Sequence, residues 1–186
     1  MTGTNVRIPP LAPEHYTEEQ TRLIGDWTHL NFSRVIIRSP RMYRTFVSHL
    51  AELVAHSALP PRDRQAICLR TLELCGDSYE LTHHLTISKK AGLNDDEIKA
   101  MREGSGTSLT EFDRALIAAT EELARDKTIG DATWKKLSAR YTEEQLMEVV
   151  FLAACYATMA MLTKSFGMEL ESSQTFDSFN ALRNYT

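Results

Sequence analysis

Along most of the chain, apolar side chains recur every three or four residues, the spacing that lays them along one face of an α-helix. The stripe is plainest at 41–56, where Tyr43, Phe46, Val47, Leu50, Leu53 and Val54 share a side behind a helix-starting Ser39-Pro40. Similar periods run over 62–74, 79–90, 97–102, 112–125, 134–141 and 146–166. The helix starts are written in capping residues. Thr17-Glu-Glu-Gln20 and Thr142-Glu-Glu-Gln145 are capping boxes, and Asn94 to Glu97 and Ser108 to Glu111 repeat the pattern. The box at Thr17 opens a helix toward Asn31. Leu59-Pro-Pro61, Gly76-Asp77-Ser78 and Gly92 mark breaks. No segment alternates with period two and no Asn-Gly or Asp-Gly turn occurs, so no strand is expected. The pattern predicts an all-α protein of about eight helices.

Two stretches depart from the amphipathic rule. Residues 1–16 carry Pro9, Pro10 and Pro13 without helical period and read as an extended arm. The last helix carries no charge between Val149 and Leu162, so it should be buried in a core or between subunits. Its methionines, Met147, Met159 and Met161, read as packing. A tail at 172–186 mixes polar residues with Phe176, Phe179, Leu182 and Tyr185, as a segment that docks on a neighbouring subunit would.

Composition narrows the partners. The chain has 186 residues, 25 acidic against 21 basic, for a formal charge of −4. That balance disfavours nucleic acid and anionic membranes, which select clustered Lys and Arg. No uninterrupted apolar run of 18 residues and no leader pattern is present, so a soluble, cytoplasmic protein is expected. Cys68, Cys75 and Cys155 are too few and scattered for a disulfide framework.

Reactive side chains are densest in Asp77-Ser-Tyr-Glu-Leu-Thr-His-His84. On a helix Glu80 and His84 share a face, and a carboxylate one turn from an imidazole suits acid–base work; the same spacing also suits an ordinary surface pair. Adjacent His83 and His84 point about 100° apart, so one site can use only one of them. Glu80-x-x-His83 occurs once, whereas carboxylate-bridged di-iron bundles need two copies. His49, Glu52 and His56 are read as polar residues flanking the 41–56 stripe. Neither group predicts a metal. Glycine-rich nucleotide loops, a Gly-x-Ser-x-Gly elbow and Cys-x-x-Cys are all absent.

The run Arg62-Asp-Arg-Gln-Ala-Ile-Cys-Leu-Arg-Thr-Leu-Glu-Leu-Cys-Gly-Asp-Ser-Tyr-Glu-Leu-Thr-His-His84, with Ala91-Gly-Leu-Asn-Asp-Asp-Glu-Ile98, resembles the carboxymuconolactone decarboxylase family, also called alkylhydroperoxidase D-like. Asn31-Phe-Ser-Arg34, Asp131-x-x-Trp134, Gln145-Leu146 and Phe166-Gly-Met-Glu-Leu170 extend the resemblance over residues 7–171. It implies an alkylhydroperoxidase D-like helical bundle at 17–171, flanked by the arm and the tail. Peroxidase members carry Cys-x-x-Cys-x-x-x-His with a glutamate twelve residues before the first cysteine. Aligned on His84, those positions hold Asp77, Glu80 and Gln65, so thiol peroxidase chemistry is not expected.

The thiol-free branch implies a cofactor-independent lyase or decarboxylase acting on a small carbonyl-bearing acid or lactone. Isomerases or dehydratases using the same site, and an inert binding protein, are the alternatives. The resemblance casts His84 as proton donor or shuttle and Glu80 as its orienting partner or the acid. Tyr79, Arg70, Gln65 and His83 become candidate substrate-binding residues. It also implies a homo-oligomer, trimer or hexamer, with a small-molecule substrate.

Overall fold

A computed structural model describes residues 5–171. Among them are nine α-helices and no strand: α1 (Glu18–Ile24), α2 (Asn31–Ile36), α3 (Pro40–Ala55), α4 (Pro61–Cys75), α5 (Ser78–Lys90), α6 (Asp95–Glu103), α7 (Glu111–Asp126), α8 (Asp131–Ser138) and α9 (Glu143–Phe166). The tail expected to dock at 172–186 lies outside the described residues.

The described residues form two compact units, one of residues 5–56 and 161–171 and one of residues 57–160. In the first, α1 and α2 pack on α3 around Ile24, Ile37, Tyr43 and Val47. The expected single helix toward Asn31 is instead α1, a 3-10 turn at Gly25–His29, and α2. Gly25, at φ +49°, leaves the helical region there. The arm is held by its backbone. Arg7 and Ile8 N–H groups donate to the Phe166 carbonyl at 2.9 and 3.2 Å, and the Arg38 guanidinium donates to the Pro9 carbonyl.

The second unit is built around α4, which packs against α5, α6 and α7 and buries Ile67, Leu69 and Leu72 completely. Met101, Leu116, Leu137, Val149 and Leu152 close this core. Two polar clamps fix the rotation of α4 about its axis. Arg62 forks onto Asp113 of α7 and reaches Glu97 of α6 at 2.7 Å. Asp63, buried, accepts from the Tyr141 hydroxyl at 2.6 Å and from Arg140 at 3.1 Å.

Capping is close to the sequence expectation, with one shift. Thr17–Gln20, Asn94–Glu97 and Thr142–Gln145 close reciprocal boxes. At α7 the box is Thr110 with Asp113; the expected cap, Ser108, instead donates to the Asp96 carbonyl. The choice is physical, because Asp113 serves both the box and the Arg62 clamp.

Candidate acid–base site

The α4–α5 junction sets the site. Gly76 ends α4 in the left-handed region at φ +62°, and the Asp77 carboxylate then accepts from the Tyr79 and Glu80 N–H groups to start α5. The tight turn folds α5 back along α4. Glu80, His84 and Ser88 follow at intervals of four, and all three are buried.

His84 meets α4 at Gln65. Its Nδ1 lies 2.7 Å from Gln65 Oε1, and Ser88 Oγ donates to the same oxygen at 3.2 Å. An amide oxygen only accepts, so Nδ1 carries the proton and Nε2 holds the free lone pair. The ring packs edge-on against Tyr156 of α9, centroids 4.8 Å apart. Burial, then neighbouring His83, then the Arg64 guanidinium, push the imidazole pKa down from 6.5 to about 3. His84 is therefore a neutral base at physiological pH.

The surroundings are a closed mixture of charge and sulfur. Arg64 and Gln65, adjacent near the start of α4, are both buried. Glu80 acts electrostatically on Cys68, Cys155 and Tyr156, and Tyr156 hydrogen-bonds Cys68. Burial drives the Cys68 thiol and the Tyr156 phenol well above their ordinary ranges, and pushes Cys155 up to about 12. These thiols stay protonated, the reverse of what a peroxidatic cysteine needs.

The sequence-derived candidates separate on this geometry. Glu80, His84 and Gln65 are brought into one buried region. The group that meets Nδ1 is Gln65, expected among the substrate-binding residues; Glu80, expected as orienting partner or as the acid, lies one turn away on α5. Tyr79 is buried and meets the His83 ring edge-on at 4.8 Å, on the neighbouring face of α5. Arg70 is not an available anion binder. Its Nε and Nη2 donate to Glu121 Oε1 at 2.9 and 2.6 Å, and Nη1 donates to the Arg102 carbonyl. Five residues beyond Gln65, it sits about 140° around α4.

Sequence reasoning missed Arg64, Ser88 and Tyr156. Arg64 stands inside the quoted Arg62-Asp-Arg-Gln run, and Ser88 follows His84 at the spacing of four that already joined Glu80 to His84. Tyr156 lies on a helix apolar all round and carried no signal. Among the described residues no group of three or more His, Cys, Asp or Glu is arranged to hold a metal ion. His49, Glu52 and His56 lie exposed along α3.

The model of the carboxymuconolactone decarboxylase family matches residues 40–122, which run from the start of α3 into α7 and include the site. No curated protein matches the chain significantly. Solved structures share the fold at low identity. The debrominase Bmp8, as a cysteine-to-alanine variant in complex with 2,3,4-tribromopyrrole, superposes with TM-score 0.75 at 16% identity over 98% of both chains. An uncharacterized peroxidase-related protein from Ralstonia eutropha JMP134, described as an alkylhydroperoxidase AhpD core, gives 0.74 at 14% over 95% of this chain and 96% of that one. A protein of unknown function from Agrobacterium tumefaciens, assigned to AhpD-type antioxidant defence, gives 0.68 at 19% over 78% of this chain and 99% of its own.

Proposed function

We propose that the buried His84–Gln65–Glu80 cluster is the acid–base centre of a cofactor-independent enzyme acting on a small carbonyl-bearing acid or lactone, in the manner of a decarboxylase or related lyase. The observation that carries this reading is the neutral, tautomer-fixed imidazole. A histidine tied through Nδ1–H to an amide oxygen, with Nε2 bare, accepts a proton before it can donate one. His84 is thus a shuttle. It takes a proton from a carbon or hydroxyl beside the carbonyl and returns it to another atom of the same intermediate.

The electrostatics support the same chemistry. Arg64 is a buried guanidinium within electrostatic reach of His84, and its field is one reason the imidazole stays neutral. A substrate carboxylate or enolate held near Arg64 would offset that field and raise the basicity of Nε2 when substrate is bound. Glu80, one turn from His84, supplies the second proton-transfer group. Where no carboxylate leaves, the same shuttle performs isomerisation, and the neutral state of His84 favours that as the second reading. Thiol-centred chemistry, peroxidatic or dehalogenating, finds neither a Cys-x-x-Cys nor a stabilised thiolate at Cys68 or Cys155.

The test is a panel of β-keto acids and carboxylated unsaturated lactones followed by proton NMR in D2O, which reads CO2 loss, double-bond migration and deuterium uptake together. His84→Ala and Glu80→Gln should each lower kcat/KM by about 10²–10⁴-fold with unchanged circular dichroism. Full activity in both variants would overturn the assignment. So would a thiol-dependent peroxide reduction abolished by Cys75→Ser.

A further inference from the structure

Thr71, on α4, is 4% exposed, and its Oγ1 has no hydrogen-bond partner among the described residues. A helical threonine ordinarily returns its hydroxyl to the carbonyl four residues back. Thr82, Thr120 and Thr158 do so, at 2.7, 2.9 and 2.9 Å. The Thr71 hydroxyl makes no such bond to the Ile67 carbonyl. Burying an unbonded hydroxyl is unfavourable, and a valine would fill the same shape without that cost.

Its place on α4 connects it to the acid–base centre. Arg64, Cys68 and Thr71 follow at intervals of four and three, so they share one face of the helix. That face is turned to the site at Cys68, which hydrogen-bonds Tyr156 and lies within the fields of Arg64 and Glu80. The hairpin sets the level. Gln65 meets both His84 and Ser88, and α4 and α5 run in opposite directions from the turn at Gly76. Six residues further along α4, Thr71 therefore comes level with Glu80. Along the hairpin it stands about 6 Å from His84, the rise of the four residues that separate Glu80 from His84.

We propose that the Thr71 hydroxyl is the oxyanion donor of this site, a role that rests on the acid–base reading above. His84 Nε2 takes a proton from the carbon beside the substrate carbonyl. The C–H electron pair becomes a carbon–carbon double bond, the carbonyl π pair moves onto oxygen, and the Thr71 O–H donates to that enolate oxygen. Return of the proton to a different carbon of the same intermediate restores the carbonyl and completes an isomerisation. Where a carboxylate leaves, the electron pair of the broken C–C bond takes the same path to the same oxygen, and a water proton relayed by Glu80 replaces CO2 on carbon. The spacing suits this task. From Nε2 to carbon, carbon to enolate oxygen, and oxygen to Oγ1 are three steps of roughly 2.5–3.5 Å each, so base and donor have to stand more than one contact apart. A donor that makes no bond within the fold is free for the oxygen on which charge develops. Arg64 is then left to the substrate carboxylate, and the substrate class narrows to small carbonyl acids that pass through an enolate.

The probe is 4-nitrophenolate, whose oxygen carries negative charge as an enolate oxygen does, with 4-nitrotoluene as an uncharged control of similar shape. In proton NMR titrations of the full chain at pH 8.5, Thr71→Val should weaken phenolate binding by about 10- to 100-fold and leave nitrotoluene within about twofold of wild type. Thr71→Ser keeps the hydroxyl and should restore most of the affinity. The urea midpoint of Thr71→Val should stay the same or rise, because the hydroxyl has no bond in the fold to lose. The proposal is overturned by full phenolate affinity in Thr71→Val, by equal weakening of both probes, or by a wild type that binds no phenolate. A lower urea midpoint in Thr71→Val would also overturn it, by showing that the hydroxyl serves the fold. The acid–base reading is decided separately, by the activity of His84→Ala in the substrate panel, so loss of the Thr71 role leaves it standing.

Discussion

Burying a neutral histidine ties the stability of the fold to pH, and the size of the effect follows from His84. In the unfolded chain its imidazole binds a proton below about 6.5; in the folded chain it resists protonation until about 3. The folded pKa is depressed, so between those values the unfolded state holds one more proton. Stability is then lost as pH falls from 6.5 toward 3, with a slope of about 1.4 kcal/mol per pH unit. Between pH 6.5 and 4.5 this one residue removes ~2.3 kcal/mol, a large fraction of the ~5–15 kcal/mol that usually holds a protein folded. His84→Asn keeps an amide donor near the position of Nδ1 but cannot titrate. Every other residue is the same in both proteins, so contributions from the rest of the chain largely cancel in the difference. Urea unfolding at pH 7.5, 6.5, 5.5 and 4.5 should show the advantage of wild type over His84→Asn shrinking by about 2–3 kcal/mol below pH 6.5. Parallel curves would refute a buried neutral His84. So would an acid limb in kcat/KM near 6.5 that disappears with His84.

Gln65→Leu should destabilise the fold by about 1–3 kcal/mol, because it strands two buried donors, His84 Nδ1–H and Ser88 Oγ–H; nitrogen NMR of the imidazole should show loss of the single Nδ1–H tautomer. Gln65→Glu should instead raise the His84 pKa by about 1–3 units, read from the same resonances. Native-state thiol titration at pH 8 should leave Cys68 and Cys155 unreactive until denaturant is added, since burial keeps both protonated; rapid labelling of either would contradict the closed site. Gly104→Ala should cost about 1–3 kcal/mol in urea unfolding, since φ is +76° and the added Cβ would sit 2.7 Å from Glu121 Oε1 and 2.8 Å from the Arg70 guanidinium carbon.

The parts of the molecule legible from sequence are those set by near neighbours along the chain. Capping boxes at Thr17, Asn94 and Thr142, the stop at Gly92 and the α4–α5 break at Gly76 need only a few consecutive residues to specify them. The same holds for the shared face of Glu80 and His84. What could not be read is rotational phase. Arg64 and Arg70 both lie on α4, six residues apart, and periodicity alone does not say which one is turned inward. The answer comes from distant groups. Asp113 and Glu97 hold Arg62, while Tyr141 and Arg140 hold Asp63, and together these clamps turn α4 so that Arg64 and Gln65 face α5. Arg70 is then carried round to Glu121 of α7. The site's chemistry follows from this rotation. With the helix so fixed, the residue opposite His84 is an amide, which sets a tautomer, rather than a carboxylate, which would draw a proton onto the ring. Loosening either clamp should therefore act on His84 at a distance. Asp63→Asn, far from the imidazole in sequence, is expected to weaken the Gln65–His84 hydrogen bond and broaden the imidazole nitrogen resonances. An unchanged His84 spectrum in a measurably destabilised Asp63→Asn protein would separate the clamp from the site.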